Sequence, residues 1–242
     1  MSVRIVLSRM AETRRRFGWG AWLLFLLHTL VNRFVYFEWL ELIVLDRRSL
    51  RPLPPHHGAG FTARLATADD LAALAAQPQW EIGEDKLRLF EAGDQCVLSL
   101  LDGQLAGYTW VHARGLPDLL PGLRLRLPGH VLYNYAGLTA PAFRGAGLQS
   151  MRHHSVLAQP QWTDREALVG YVRRINFASR KGQGKSGYRR IGAIWLFGRR
   201  GHPFIWLSPG ARTFGIRLAE PPTPELPVHP ADPATPSEGQ LT

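Results

Sequence analysis

At 242 residues, 45% hydrophobic and carrying a formal net charge of +10, the chain can bury one sizeable core and is too apolar to be disordered throughout. Its one cysteine, Cys96, excludes an intramolecular disulfide and a cysteine-based zinc site, which suits a reducing compartment. The charge is +5 over residues 1–60 (nine arginines, four acids), +9 over 61–218 (20 bases, 11 acids) and −4 over 219–242, so the basic part is the folded part and its partners should be anionic.

Residues 1–16 are basic and end in Arg14-Arg15-Arg16, and the run FGWGAWLLFLLHTLV that follows is almost wholly apolar. It begins like a signal peptide, but Asn32, Arg33 and Phe34 stand where a small-residue cleavage site would be needed. A membrane-spanning helix of about 20 residues would have to carry Asn32 and Arg33 through hydrocarbon. Trp19, Leu23, Leu26, Leu27, Leu30 and Phe34 fall on one helical stripe, with Ala21, His28, Thr29 and Asn32 towards the other side. Three readings stay open: a helix lying in a membrane interface, a helix packed on the domain as an added core layer, or a span. Val35 to Leu45 is rich in strand formers, and RPLPPHHGAG at 51–60 reads as a linker.

From Phe61 the pattern is α/β. Phe61 to Ala66 is a short strand, and Thr67 can cap a helix through Ala76. Glu81 to Ala92 follows as a second helix with Leu87 and Phe90 inward. Asp94 to Val111 reads as a hairpin turning at Asp102-Gly103, and 115–130 as a Pro- and Gly-marked loop. Val131 to Pro141 is a buried strand, Arg144-Gly145-Ala146-Gly147 a turn, and 147–158 a helix whose free first-turn amides and dipole suit a pyrophosphate. Glu166 to Ile175 is a strand, Asn176 to Lys185 a polar helix, and 190–197, 203–208 and 214–218 complete the sheet. The tail 219–242, with seven prolines, is expected to be disordered. Neither His56-His57 nor His153-His154 has a third ligand at a suitable spacing, so no metal is expected. GQGKS at 184 lacks the first glycine of a Walker A loop, since Ser179 stands there.

Leu138-Thr139-Ala140-Pro141 followed by Arg144-Gly145-Ala146-Gly147-Leu148-Gln149 resembles motif A of the GNAT (GCN5-related N-acetyltransferase) superfamily, with Gln149 where that pattern has Gly or Ala. Asn176-Phe177-Ala178-Ser179 leading to Gly187-Tyr188 resembles a second stretch of the same family. The resemblance covers about Phe61 to Leu218 and implies an α/β (α+β) GNAT fold, a mixed central sheet of about six or seven strands with helices on both faces, plus the N-terminal hydrophobic helix and strand. The implied division is a 1–60 extension, a 61–218 acyltransferase domain and the 219–242 tail.

What the resemblance implies for function is transfer of an acyl group from acetyl-CoA or another acyl-CoA to a primary amine, without metal. Residues 138, 139 and 144–149 would hold the donor, Asn176 would bridge the splayed strands and the pantetheine arm, and Ser179 would contact the cofactor. Gln183 stands where many members have a tyrosine acid, and Tyr133 where others have a glutamate base. Tyr133 and Tyr135 share one strand face, and either can order a water or donate a proton, or be a core aromatic. The acceptor would be an amine-bearing small molecule, lipid or glycan precursor. Residues 14–45 would make peripheral contact with the inner face of the cytoplasmic membrane, in an otherwise cytoplasmic protein. A CoA-binding module without turnover is the rival reading. No RNA-binding motif or interleaved basic and aromatic stripe points to nucleic acid.

Overall fold

The computed structural model describes residues 3–50, 60–115, 118–120 and 123–219. The linker at 51–59 with its histidine pair, and the tail beyond Ala219, lie outside the described residues. The sheet is set by β1 (Tyr36–Asp46), in which Leu40, Leu42, Ile43, Val44 and Leu45 are all buried. Five such side chains on alternating sides need cover on both faces, and each contributes about 1.5–3 kcal/mol when buried. Such a strand belongs inside a sheet.

The other strands of that sheet are β2 (Phe61–Leu65), β3 (Gln95–Leu101), β4 (Gln104–His112), β7 (Val131–Thr139), β8 (Ala167–Arg173), β9 (Arg189–Arg199) and β10 (His202–Leu207). They run in the order β10-β9-β1-β8-β7-β4-β3-β2. Every pairing is antiparallel except β7 with β8. Eight strands therefore replace the six or seven expected, because the strand assigned to an N-terminal extension sits between β8 and β9. The 115–130 loop holds β5 (Asp118–Leu120) and β6 (Leu123–Arg126), which join β11 (Arg217–Ala219) in a second, three-stranded sheet. The 214–218 segment thus leaves the main sheet. Strands of three and four residues carry too little alternation to be read from sequence.

One face of β1 packs Leu40, Leu42 and Val44 against Ile194, Leu196, Leu125 and Ile216, beneath the small sheet and α6 (Pro209–Thr213). The other face packs Leu45 with Leu132, Leu168 and, from α4 (Leu148–Leu157), Val156 and Leu157. Local signals hold where they were legible. Thr67 caps α2 (Ala68–Ala75) in a capping box with Asp70, and Asp102 and Gly103 both take positive φ in the β3–β4 turn. The second helix is shorter than expected, α3 (Glu84–Glu91), with Leu87 and Phe90 half-buried on the core.

Helix α1 (Val3–Phe34) kinks at Gly18, where φ is 84° and ψ −179°. Its apolar stripe does not face the domain: Trp19, Leu23, Leu27, Leu30 and Phe34 are each more than half exposed. The polar side does. Asn32 Nδ2 donates to the Phe37 carbonyl at 2.8 Å, the Phe37 N–H donates to Asn32 Oδ1 at 3.1 Å, and the His28 ring lies 6.2 Å from that of Phe37. The helix meets the domain through these hydrogen bonds and through ring contacts, Phe17 packing on Phe177 with ring centres 5.6 Å apart. Among the described residues no helix is long and apolar enough to cross a membrane.

Strands β4 and β7 are held unusually close at Gly107, where a Cβ would overlap the Leu138 carbonyl oxygen and lie 2.7 Å from Arg152 Nη1. Gly107→Ala is expected to destabilise the fold by about 2–3 kcal/mol through this overpacking, measured by urea unfolding.

Candidate functional site

The site lies where two neighbouring strands part. β7 and β8 pair only from Val131 to Tyr133 against Ala167 to Val169, although β7 runs on to Thr139 and β8 to Arg173. Opposite Thr109 of β4, β7 carries two residues, Ala136 and Gly137, and Ala136 takes φ 44°. This bulge bends β7 away from β8. Gly170 marks the crotch, since a Cβ there would stand 2.8 Å from the Asn134 carbonyl oxygen. Beyond it opens a cleft of about 1360 Å³.

The bulge frees carbonyls that need donors, and Arg152 of α4 supplies them. Its Nη1 donates to Tyr108 O at 2.5 Å and Leu138 O at 2.6 Å, and its Nη2 to Thr139 Oγ1 at 2.8 Å. Burial lowers its pKa to about 10, so it stays a cation at neutral pH, and among the described residues it has no carboxylate partner. The neighbouring His153 is buried, accepts at Nε2 from Asn134 Nδ2 at 3.3 Å, and has its pKa pushed down to about 3 by burial and then by the Arg152 charge. It is therefore neutral.

Helix α4 starts at the cleft. Gly147 occupies its N-cap with φ 75°, a conformation that favours glycine, and no side chain caps the first turn. Amides of this turn are thus left for an anion. Among the described residues the cleft lining holds seven cations, including Arg16, Lys86, Arg144, Lys181 and Lys185, and no Asp or Glu. Such a lining focuses positive potential in the cleft and favours an anionic ligand.

Of the expected site residues, Tyr133, Tyr135, Leu138, Thr139, Arg144, Gly145, Gly147, Leu148, Gln149, Asn176 and Ser179 all line this one cleft, and Ala146 is exposed in the same turn without lining it. Tyr133 is 2% exposed and belongs to the main core, its ring stacked 5.5 Å from that of Tyr135. Asn176 makes no bond to β7 among the described residues. Its Oδ1 instead accepts from the Ser179 N–H at 3.1 Å, capping α5 (Phe177–Ser186). Arg144 is exposed, with Nε donating to Thr139 O at 3.3 Å.

Two features had no sequence signal. Arg16 reaches the cleft from α1, where Phe17 packs on Phe177 of α5 at 5.6 Å. Behind Tyr135 lies a buried carboxylate, Asp94, which accepts from Tyr135 Oη at 2.5 Å, His112 Nδ1 at 2.7 Å and Arg114 Nη2 at 3.3 Å. Burial pushes the Asp94 carboxyl up, but the bonds from His112 and Tyr135 outweigh it and hold the group below its ordinary value. Burial, then the carboxylate beside it, pushes the Tyr135 hydroxyl far up. At neutral pH the pair is a neutral phenol donating to an ionised carboxylate, and the phenol oxygen keeps lone pairs for a further donor. Lys86 Nζ sits 5.1 Å from the centre of the Tyr135 ring.

No family model matches the chain, and no curated protein matches it in sequence. Solved structures do. A GCN5-related N-acetyltransferase from Kribbella flavida is 17% identical with a TM-score of 0.45, over 73% of this chain and 64% of that one. A GNAT-family acetyltransferase from Colwellia psychrerythraea is 15% identical with a TM-score of 0.47, over 68% of this chain and 57% of that one. The chain thus spans less than two thirds of the length of either. AAC(6')-Iy, solved in complex with the bisubstrate analog CoA-S-monomethyl-acetylneamine, is 16% identical with a TM-score of 0.42, over 52% of this chain and 89% of its own.

Removing the buried negative charge takes from the buried His112 its ionised partner. Asp94→Asn is expected to cost about 3 kcal/mol of stability at neutral pH. Because the folded carboxyl titrates below its unfolded value of about 4, this advantage of the wild type is complete above that value and shrinks as pH falls through the folded pKa. Urea unfolding of both proteins from neutral pH into acid checks the sign.

Proposed function

We propose that the chain is an acyl-CoA-dependent N-acyltransferase, which transfers an acetyl or longer acyl group to a primary amine. The observation that carries this reading is the cleft between β7 and β8, with seven cations and no carboxylate in its lining and an uncapped helix N-terminus at its edge. In this reading the turn 144–149 and the start of α4 hold the pyrophosphate, and Arg16, Lys181 and Lys185 meet the remaining phosphates. The donor's extended arm runs along the bulged part of β7, where backbone at Leu138 polarises the thioester carbonyl. Ser179 stands at the start of α5 beside it.

The reaction needs a neutral amine held against a polarised carbonyl, and alignment alone can remove roughly 7–11 kcal/mol of the barrier. Tyr135 takes a further role. The amine N–H donates to the Tyr135 oxygen, which Asp94 holds in place, and as the amine nitrogen bonds to the acyl carbon the C–S bond breaks to release a thiolate, the proton of the amine passing through solvent to that thiolate. A hydroxyl pushed upward by burial and a neighbouring carboxylate is a poor acid, so Tyr135 serves the amine rather than the thiolate. Tyr133, buried beneath it, is left with packing.

The acceptor in this reading is an amine-bearing small molecule, lipid or glycan precursor, and residues 14–45 bring the protein to the inner face of the cytoplasmic membrane. The apolar stripe that α1 turns outward supports that placement.

Calorimetric titration with acetyl-CoA and with a long-chain acyl-CoA tests the donor site. Binding is expected for the wild type and about tenfold weaker for Lys181→Glu, an exposed-rim reversal of charge, with a larger loss for Gly147→Glu. A folded wild type that binds neither ligand would overturn the reading. Binding without transfer to any amine, tested on panels of soluble amines and aminolipids, would leave a CoA-binding module.

A further inference from the structure

The face of the main sheet that carries α5 also carries two cross-strand rows of aromatic side chains. In one row Trp39 of β1 stands opposite Trp195 of β9, which stands opposite Trp206 of β10, with ring centres 5.7 and 4.4 Å apart. In the other, Phe37, Phe197 and Phe204 pair in the same register two residues away. Residues two apart on a strand share a face, so all six rings look the same way. Core packing does not explain them. Phe197 is 53% exposed, Phe204 69% and Trp206 39%, while the opposite face of the same strands holds the buried Ile194, Leu196 and Leu207.

Helix α1 lies beside these rows, its His28 ring against Phe37, and turns its own apolar stripe of Trp19, Leu23, Leu27, Leu30 and Phe34 outward. Exposed apolar surface of this extent is a docking surface in a folded protein. Charge selects the occupant. The acids of α1, β1, β9 and β10 are Glu12, Glu38, Glu41 and Asp46, and each is paired with an arginine. Exposed Arg14, whose guanidinium lies 4.6 Å from the Trp19 ring centre, and exposed Arg15, Arg33, Arg199 and Arg200 flank these apolar residues along the chain, so the added charge is positive. A second copy would set like charges against one another. An anionic lipid surface meets both the arginines and the rings, and Trp and Arg are the residues that settle at headgroup depth.

We propose that the aromatic rows of β1, β9 and β10, together with the outer stripe of α1, form one surface that docks on anionic bilayers. The inference extends the membrane part of the functional reading to strands outside residues 14–45, and it does not depend on acyl transfer.

The test is co-sedimentation of the full chain with vesicles of phosphatidylcholine alone and of phosphatidylcholine mixed with phosphatidylglycerol. Wild type is expected to bind the mixed vesicles and to bind the neutral ones far less. Phe197→Ser/Phe204→Ser, on exposed edge positions, is expected to weaken that binding about tenfold while circular dichroism and acyl-CoA titration stay as in the wild type. Leu23→Ser/Leu27→Ser serves as an independent second variant with the same expected loss. Failure of the wild type to bind mixed vesicles, equal binding by the Phe197/Phe204 variant, or equal binding to both lipid compositions would overturn the proposal. So would a wild-type dimer in light scattering that the variants split, which would assign the face to self-association. Loss of acyl-CoA binding in the wild type would strike the transferase reading and leave the vesicle result standing.

Discussion

Strand β8 has two neighbours that run different courses, and the candidate site exists because it follows only one. Along β1 it pairs from Ala167 to Arg173, seven residues without a break. Along β7 it pairs for three. A bulge in β7 at Ala136 and Gly137 turns that strand away, while β1, pinned in turn to β9 from Tyr36 to Val44, keeps β8 from following. The cleft is thus a disagreement in strand direction, fixed by a core on either side. Backbone groups that would be costly to bury unpaired can face it because water or ligand reaches them.

The same arrangement sorts the charges. Glu41 points from β1 towards α5 and accepts from Arg174 Nη1 at 2.6 Å and Arg180 Nε at 2.7 Å. This buried carboxylate ties the start of α5 to the sheet and consumes two arginines that would otherwise add to the cleft. Lys181 and Lys185, without such partners in the sheet, are left at the cleft. Asp94 is withdrawn behind Tyr135 in the same way. Glu41 and Asp94 are both held by structural bonds, and among the described residues the lining carries no carboxylate. Arg152 is the exception among the cations, because its partners are carbonyls and a hydroxyl, and what it stabilises is the bulge itself.

Much of this was legible where the determinants are local. Thr67 with Asp70, Asp102-Gly103, and the strand, turn and helix from Val131 to Ala158 each carry their conformation in a few adjacent residues, and the chain folds there as those residues direct. The place of β1 was not legible. Its alternating and then continuous apolar residues say that it is buried on both faces, but only pairing partners more than 120 residues away say where. Asp94, His112 and Tyr135 meet across three strands, so no spacing in the sequence announces them. The aromatic rows were hidden likewise, since Phe37 and Trp39 read as ordinary strand formers until β9 and β10 set four more rings beside them. Asn176 shows the converse: its position beside the site was legible from the motif, while the bond it makes is the helix cap its residue type favours.

Gly18 lies between the cleft and the outward apolar stripe. The residue takes a positive φ that breaks one long helix into two, and the consequence differs on either side of it. Just before the kink, Phe17 rests on Phe177 and Arg16 reaches the cleft lining. Just after it, Trp19 begins the outward apolar stripe, with the Arg14 guanidinium 4.6 Å from its ring centre. A straight helix could not present Arg16 to the cleft and Trp19 to solvent with the same register, since residues three apart lie close to one face. The kink removes that coupling of faces. One segment therefore lines the cationic cleft on one side of Gly18 and edges the outward apolar stripe on the other.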